Sequence, residues 1–225
     1  MSGSPSDPEN SGEIYARRQI KEIAARWDAR ADAWDQTLED SACHLNEDDA
    51  YRRFIRVVQR LIAQRRQFCA TQGVIDVGCG TGLVLAKVIS TFAWGIGIDI
   101  SPQMIRAARA KRVAKTTFLV GDCFKLPALC PKAGTVLSRG VLLSHYGRKE
   151  GLALLKAARS TLMPGGFLVC DFLNEAARTK HRHATENKTW FAGEEIQAMA
   201  GRAGFSAVST LGKPDRRVLL LLAEA

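Results

Sequence analysis

No stretch of the 225-residue chain approaches the ~20 consecutive apolar residues that a bilayer-spanning helix requires, which excludes a helical membrane span. No Gly/Ser/Pro-rich linker interrupts the middle of the sequence, so one buried core is expected rather than two independent domains. The six cysteines, Cys43, Cys69, Cys79, Cys123, Cys130 and Cys170, contain no CxxC pair. Several fall in apolar strand-like runs, where a thiol behaves as a small core residue, so neither a disulfide framework nor a zinc site is expected. The first residues have neither the basic start nor the apolar middle of a secretory signal, and the expectation is a disordered tail over 1–12 and a cytoplasmic location. Acidic residues are outnumbered 32 to 23 by Lys and Arg, giving a net charge of +9. A positive field of that size steers nucleic acid, an anionic membrane surface or an acidic substrate. Many of these cations fall on polar helix faces, however, where water solvates them.

What is present reads as an N-terminal helical cap over 13–70 followed by an α/β domain over 71–225. Ile20, Ile23, Trp27, Ala31 and Trp34 recur at helical spacing within 13–36, as do Tyr51, Phe54, Ile55, Val58, Leu61 and Ile62 within 48–67. Asn46, Glu47, Asp48 and Asp49 precede the second helix and suit its positive dipole end. After Gly73, short apolar runs alternate with helical stretches, the pattern of a parallel sheet with crossover helices. Strands are predicted at 73–77, 94–99, 116–120, 134–138 and 166–172, and helices at 81–90, 102–112 and 148–162. Ser101-Pro102 is a helix start, and Leu162 to Gly166 a stop and turn. A helix over about 192–203 leads into two strand-like runs, 205–211 and 217–223, that form a hairpin.

The sharpest motif is Val74-Ile75-Asp76-Val77-Gly78-Cys79-Gly80-Thr81-Gly82, an apolar strand running into three glycines with a helix behind them. Glycine permits a tight turn and close backbone approach, and a helix start offers free N–H groups, so this is a nucleotide-type cofactor loop. Its GxGxG spacing, rather than GxGxxG, favours a cofactor without a pyrophosphate. Asp99 ends the next strand, where a carboxylate accepts from two ribose hydroxyls, and Asp122 ends the third, in reach of an adenine amino group.

With these motifs in order, the sequence resembles the class I S-adenosylmethionine (SAM) dependent methyltransferases, particularly the small bacterial members acting on quinones, lipids and natural products. The matching segments are VIDVGCGTG at 74–82, GIGIDIS at 95–101, FLVGDCFKLP at 118–127 and LMPGGFLV at 162–169, with Trp190 to Ile196 and Ala203-Gly204-Phe205 resembling the last helix. The resemblance implies a doubly wound, seven-stranded, mostly parallel Rossmann-like sheet with its final strand antiparallel, and SAM as cofactor. It implies that Gly78, Cys79, Gly80 and Gly82 pass under the methionine part, with Asp76 holding that end. Asp99 and Ile100 fall to the ribose, Met104, Asp122 and Cys123 to the adenine, and Ser138 completes the cofactor set. The family's aromatic-Asp pair at the start of the fourth strand is replaced by Ala133-Gly134-Thr135.

Methyl transfer from a sulfonium is an in-line displacement, and alignment is the enzyme's main task; a base helps when the acceptor is protonated. His145 is the candidate base by its near-neutral pKa class, with a wall or cofactor-shielding role as the alternative. Arg139 either binds an acidic group of the substrate or pairs with a neighbouring carboxylate. Tyr15, Trp34 and Tyr146 are candidate acceptor contacts, with the N-terminal helices acting as a lid; for Trp27 and Tyr51 ordinary packing is the preferred reading. His181 and His183 form an HxH without carboxylate partners, and Ser138 stands where a metal-dependent mechanism would place a carboxylate, so no metal is expected. The leading expectation is N- or O-methylation of a small molecule. Its rivals are an RNA or protein methyltransferase, a phospholipid methyltransferase anchored through 48–67, and a non-catalytic SAM-binding protein. Against nucleic-acid bases, SRGV follows the fourth strand instead of an Asn/Asp-Pro-Pro-aromatic motif, and no Pro-Cys nucleophile is present.

Overall fold

The structure, a computed structural model, describes residues 21–35, 50–140, 142–184 and 188–225, and only the backbone of 181–184. Among them lie a helical stretch at 21–28 (α1), α2 (Ala50–Gln64), α3 (Arg66–Thr71), β1 (Gly73–Val77), α4 (Leu83–Val88), β2 (Trp94–Asp99) and α5 (Pro102–Ala110). There follow β3 (Thr116–Val120), α6 (Leu126–Leu129), β4 (Ala133–Ser138), α7 (Arg148–Thr161), β5 (Leu162–Leu173), α8 (Gly193–Arg202), β6 (Ala207–Leu211) and β7 (Val218–Glu224).

The strands form one seven-stranded sheet in the order β3-β2-β1-β4-β5-β7-β6. The first five are mutually parallel, and β7 inserts antiparallel between β5 and β6, which makes the expected C-terminal hairpin part of the sheet. β1 is buried along its whole length because both of its faces are covered. Its residues alternate between two cores: Ile75 and Val77 pack with Leu155, Leu168 and Phe172, whereas Val74 packs with Phe54, Leu85 and Phe167 on the other face. The chain winds from β1 outward to β2 and β3, then returns to place β4 on the other side of β1. That reversal opens a crevice at the carboxyl ends of β1 and β4, the place where open α/β sheets bind ligands.

Several elements depart from the sequence expectation. The helix expected at 81–90 starts only at Leu83, because Gly82 precedes it in the left-handed region at φ 79°, and it finishes in a 3-10 turn at Ile89–Thr91. The fifth strand begins earlier than 166. Leu162 already pairs with Ala133 and Phe167 with Thr135, so Met163 to Gly166 bulge out of the ladder, with Gly165 at φ 74°. The turn signal read there is a bulge inside β5. The helix expected over 13–36 is interrupted: after Ala29 N–H to Ala25 at 3.2 Å, the bonds of Arg30, Ala31 and Trp34 tighten to the third residue back. Residues 13–20, Tyr15 among them, and the acidic run 46–49 lie outside the described residues. The expected helix over 48–67 runs from Ala50 and buries Phe54, Ile55, Val58 and Ile62, so its apolar stripe faces the core.

Candidate functional site

A cavity lies at the crevice, lined by the glycine loop, Asp76, Asp99, Ile100, Met104, Cys123, Arg139, His145 and Tyr146, and covered by Ile23, Trp27, Trp34 and Tyr51. Its floor is built by backbone hydrogen bonds. Gly78 and Cys79 N–H both donate to the Ile98 carbonyl, at 2.8 and 3.0 Å, which pins the loop to the end of β2. Asp99 straps it further, accepting from Gly80 N–H at 2.8 Å and from Ser101 N–H at 2.9 Å, one on each carboxylate oxygen. Glycine is needed at 80 on two counts: φ is +53°, and a Cβ would stand 3.3 Å from Trp34 Nε1.

Asp76 is the electrostatic centre of the site. It is 1% exposed, and neither carboxylate oxygen has a hydrogen-bond partner among the described residues. Burial, and then the nearby Asp99, push its carboxyl up to about 7, against the opposing pull of Arg139. Asp99 is raised as well, chiefly by burial, although its backbone hydrogen bonds favour the charged form. Arg139 lies over the Tyr51 ring at 5.1 Å from its centre, which sets a cation and an aromatic face on the cavity wall.

His145 packs against Trp27, ring centres 5.7 Å apart, and touches Lys188 Nζ with both ring nitrogens. Burial, Lys188 and Arg26 together pull the imidazole down to about 4, so it is neutral at pH 7. Tyr146 OH lies 3.5 Å from Cys123 Sγ, and its ring meets Phe124 edge-on at 5.0 Å. Burial raises both the Tyr146 phenol and the Cys123 thiol, the latter to about 11.

Three expected cofactor residues sit elsewhere. Gly82 does not line the cavity; it precedes α4, and a Cβ there would meet the Phe118 ring at 2.7 Å. Ser138 is buried but does not line the cavity; its hydroxyl donates to the Val77 carbonyl at 2.9 Å and ties β4 to β1. Asp122 also stays off the wall, accepting from Phe124 N–H at 3.0 Å and thereby capping the turn that carries Cys123. Trp27 and Tyr51, assigned to packing from sequence, line the cavity beside Trp34, with Trp27 and Trp34 crossing edge-to-face at 5.3 Å.

The sequence reading missed the groups that fasten the cover. Asp28 accepts from Ser101 Oγ and, at 3.0 Å, from Gln103 N–H, so it supplements the Ser101 cap of α5. Asp35 accepts from Thr81 Oγ1 and pairs with Lys111 Nζ at 2.6 Å. No local pattern marks these carboxylates, because their partners lie 73 and 46 residues away. Among the described residues no cluster of three or more His, Cys, Asp or Glu could hold a metal, and no helix is long and apolar enough to cross a membrane. The five described cysteines are free thiols.

Residues 74–166 match a family model described as a methyltransferase domain. The chain is 28% identical over 155 residues to the demethylmenaquinone methyltransferase of Mycobacterium tuberculosis, covering 68% of this chain and 59% of that protein. It is 30% identical over 104 residues to the ubiquinone biosynthesis O-methyltransferase of Xanthomonas campestris, covering 45% and 43%. The chain thus spans less than two thirds of these relatives' length. Among solved structures it superposes on magnesium protoporphyrin IX methyltransferase from Synechocystis PCC 6803 with bound S-adenosylhomocysteine (SAH), at TM-score 0.69 and 20% identity, covering 91% of this chain and 98% of that one. A SAM-dependent methyltransferase from Clostridium acetobutylicum superposes at TM-score 0.71 and 11% identity, covering 85% and 98%.

Proposed function

We propose that the chain is a class I SAM-dependent methyltransferase and that it transfers the SAM methyl group to an N or O atom of a small-molecule acceptor. The observation that carries the proposal is Asp76: a fully buried carboxyl, without a hydrogen-bond partner among the described residues, facing the same cavity as a strapped glycine loop. A buried carboxylate demands positive charge or donors, and a ligand with both an ammonium and a sulfonium supplies them.

Gly78, Cys79 and Gly80 would support the methionine part beside Asp76, with Gly82 setting the turn into α4. Asp99, held by backbone N–H groups on both oxygens, would use its remaining lone pairs to accept from the two ribose hydroxyls, next to Ile100. Met104 and Cys123 would contact the adenine, with Asp122 acting through the turn it caps. When bound, SAM supplies an electrophilic methyl group. The chain's own contribution would be alignment and exclusion of water, by Trp27, Trp34 and Tyr51 on the cavity wall. These aromatic walls suit a flat acceptor, in keeping with relatives named for quinones and a structural neighbour named for a porphyrin.

Calorimetric titration with SAM and SAH, beside an Asp99→Ala variant, tests this. Wild-type binding of both ligands, weakened at least about 30-fold in the variant by loss of roughly 2 kcal/mol of charge-assisted hydrogen bonding, is the expected outcome. Absence of binding by the wild type overturns the proposal. Binding without turnover on a panel of quinols, phenols and amines would favour a non-catalytic SAM-binding protein.

A further inference from the structure

Arg139 is the cation on the cavity wall itself, and the other described cations fall into two kinds. Lys111, Arg65, Arg148 and Arg178 each pair with a carboxylate, namely Asp35, Glu224, Glu195 and Glu175. Arg26, Arg30 and Lys188 do not: among the described residues no ion pair joins any of them to an acid, Lys188 and Arg30 gather at the His145 end, and Arg26 is near enough for its charge to act on both His145 and Lys188. Lys188 Nζ rests on the imidazole, Arg30 lies over Trp27 at 5.3 Å from the ring centre, and Trp27 in turn packs on His145. Lys188 is half-buried, whereas Arg26 and Arg30 are exposed, so the group opens from the cavity wall to solvent.

Three like charges, with no counter-ion among the described residues, repel one another, and burying Lys188 beside them has a cost. The repulsion registers in the lysine: burial first, then Arg26 and Arg30, pull its ammonium down to about 8. Such a cluster loses its penalty when an anion enters it, and guanidinium forks together with an ammonium match an oxyanion in both geometry and charge. Building on the methyltransferase reading, we infer that the acceptor carries an oxyanion, a carboxylate or a phosphate, seated among Arg26, Arg30 and Lys188 at the His145 end of the cavity. The aromatic walls hold the ring of the acceptor and the cations fix which of its edges faces inward, so the cluster determines specificity rather than performing chemistry.

The test is fluorescence titration, using the tryptophans of the cavity cover, of SAH-saturated protein with benzoate, phenyl phosphate and the neutral benzamide. At least one anion binds about tenfold more tightly than benzamide, and the tighter of the two identifies carboxylate or phosphate. Lys188→Gln, and separately the exposed pair Arg26→Gln with Arg30→Gln, shrink that preference to below about threefold and leave SAH affinity unchanged. If Lys188→Gln fails to fold, as judged by lost SAH binding, the arginine pair carries the result. Equal binding of benzamide and the anions, no binding of any probe, or a preference that survives in the variants overturns the inference. Lack of SAH binding by the wild type fails the methyltransferase reading and this inference with it, and is seen before any probe is added.

Discussion

Two titratable side chains shape the site at the residue scale, and they are perturbed in opposite senses. Asp76 titrates near 3.8 when unfolded and at about 7 in the fold, so between those values the folded chain holds a proton that the unfolded chain has released. Unliganded protein therefore loses stability as pH rises from about 4 to 7, by about 4 kcal/mol at most. Urea denaturation at several pH values should show that slope, and Asp76→Asn should flatten it; SAM, by favouring the carboxylate, should expel a proton on binding near neutral pH in the wild type only. His145 runs the other way, from 6.5 down to about 4, so its neutral form stabilises the fold above 6.5 and that contribution is lost as pH falls through 4. An imidazole so weakly basic suits a wall better than a general base. His145→Gln is expected to lower kcat less than about tenfold, with no inflection near pH 6.5 in the wild-type profile, whereas loss of a true base costs about 10² or more. Asp76 was legible from its place before the glycines. The cationic setting of His145 was not, because Lys188 comes 43 residues later in the chain.

Among the elements, the cover is the one whose attachment matters most for function. Its helix gives way to tighter turns after Ala29, and Asp28, at that point, reaches the start of α5. One carboxylate thus serves two elements, complementing the positive helix terminus and tethering Trp27 and Trp34 over the glycine loop. Asp28→Ala should cost about 1 kcal/mol in chemical denaturation, in the range of a lost cap. It should also raise acrylamide quenching of the cavity tryptophans, with Asp28→Asn restoring most of both. The strands were readable because runs such as VIDV and GIGID carry their own signal. The bulge at Met163 to Gly166 was read as a boundary, since a turn signature looks alike whether the chain stops pairing or merely skips.

Across the whole molecule, the disposition of α2 decides between two uses of a basic amphipathic helix. Phe54 and Val58 are fully buried against Leu85 and Phe167, so the apolar stripe is spent on the core and is not free to enter a bilayer. The protein should remain at the bottom of a flotation gradient run with neutral phosphatidylcholine vesicles; flotation would mean that α2 leaves the core. The +9 charge is likewise not one undifferentiated field: some cations are paired, and among the described residues the group around His145 has no acidic partner.

By itself the sequence determined the α/β class, the order of the elements, the glycine loop after the first strand and the acids at the strand ends, because hydrophobic period, glycine punctuation and motif spacing are local properties of the chain. Tertiary structure alone decided that Ser138 and Asp122 support the site from behind, that Trp27 and Tyr51 line it, and that Asp28 and Asp35 fasten its cover. It also brought Lys188 beside His145. Those outcomes depend on which distant residues meet when the sheet closes, and burial, pairing and pKa are properties of that meeting rather than of any segment.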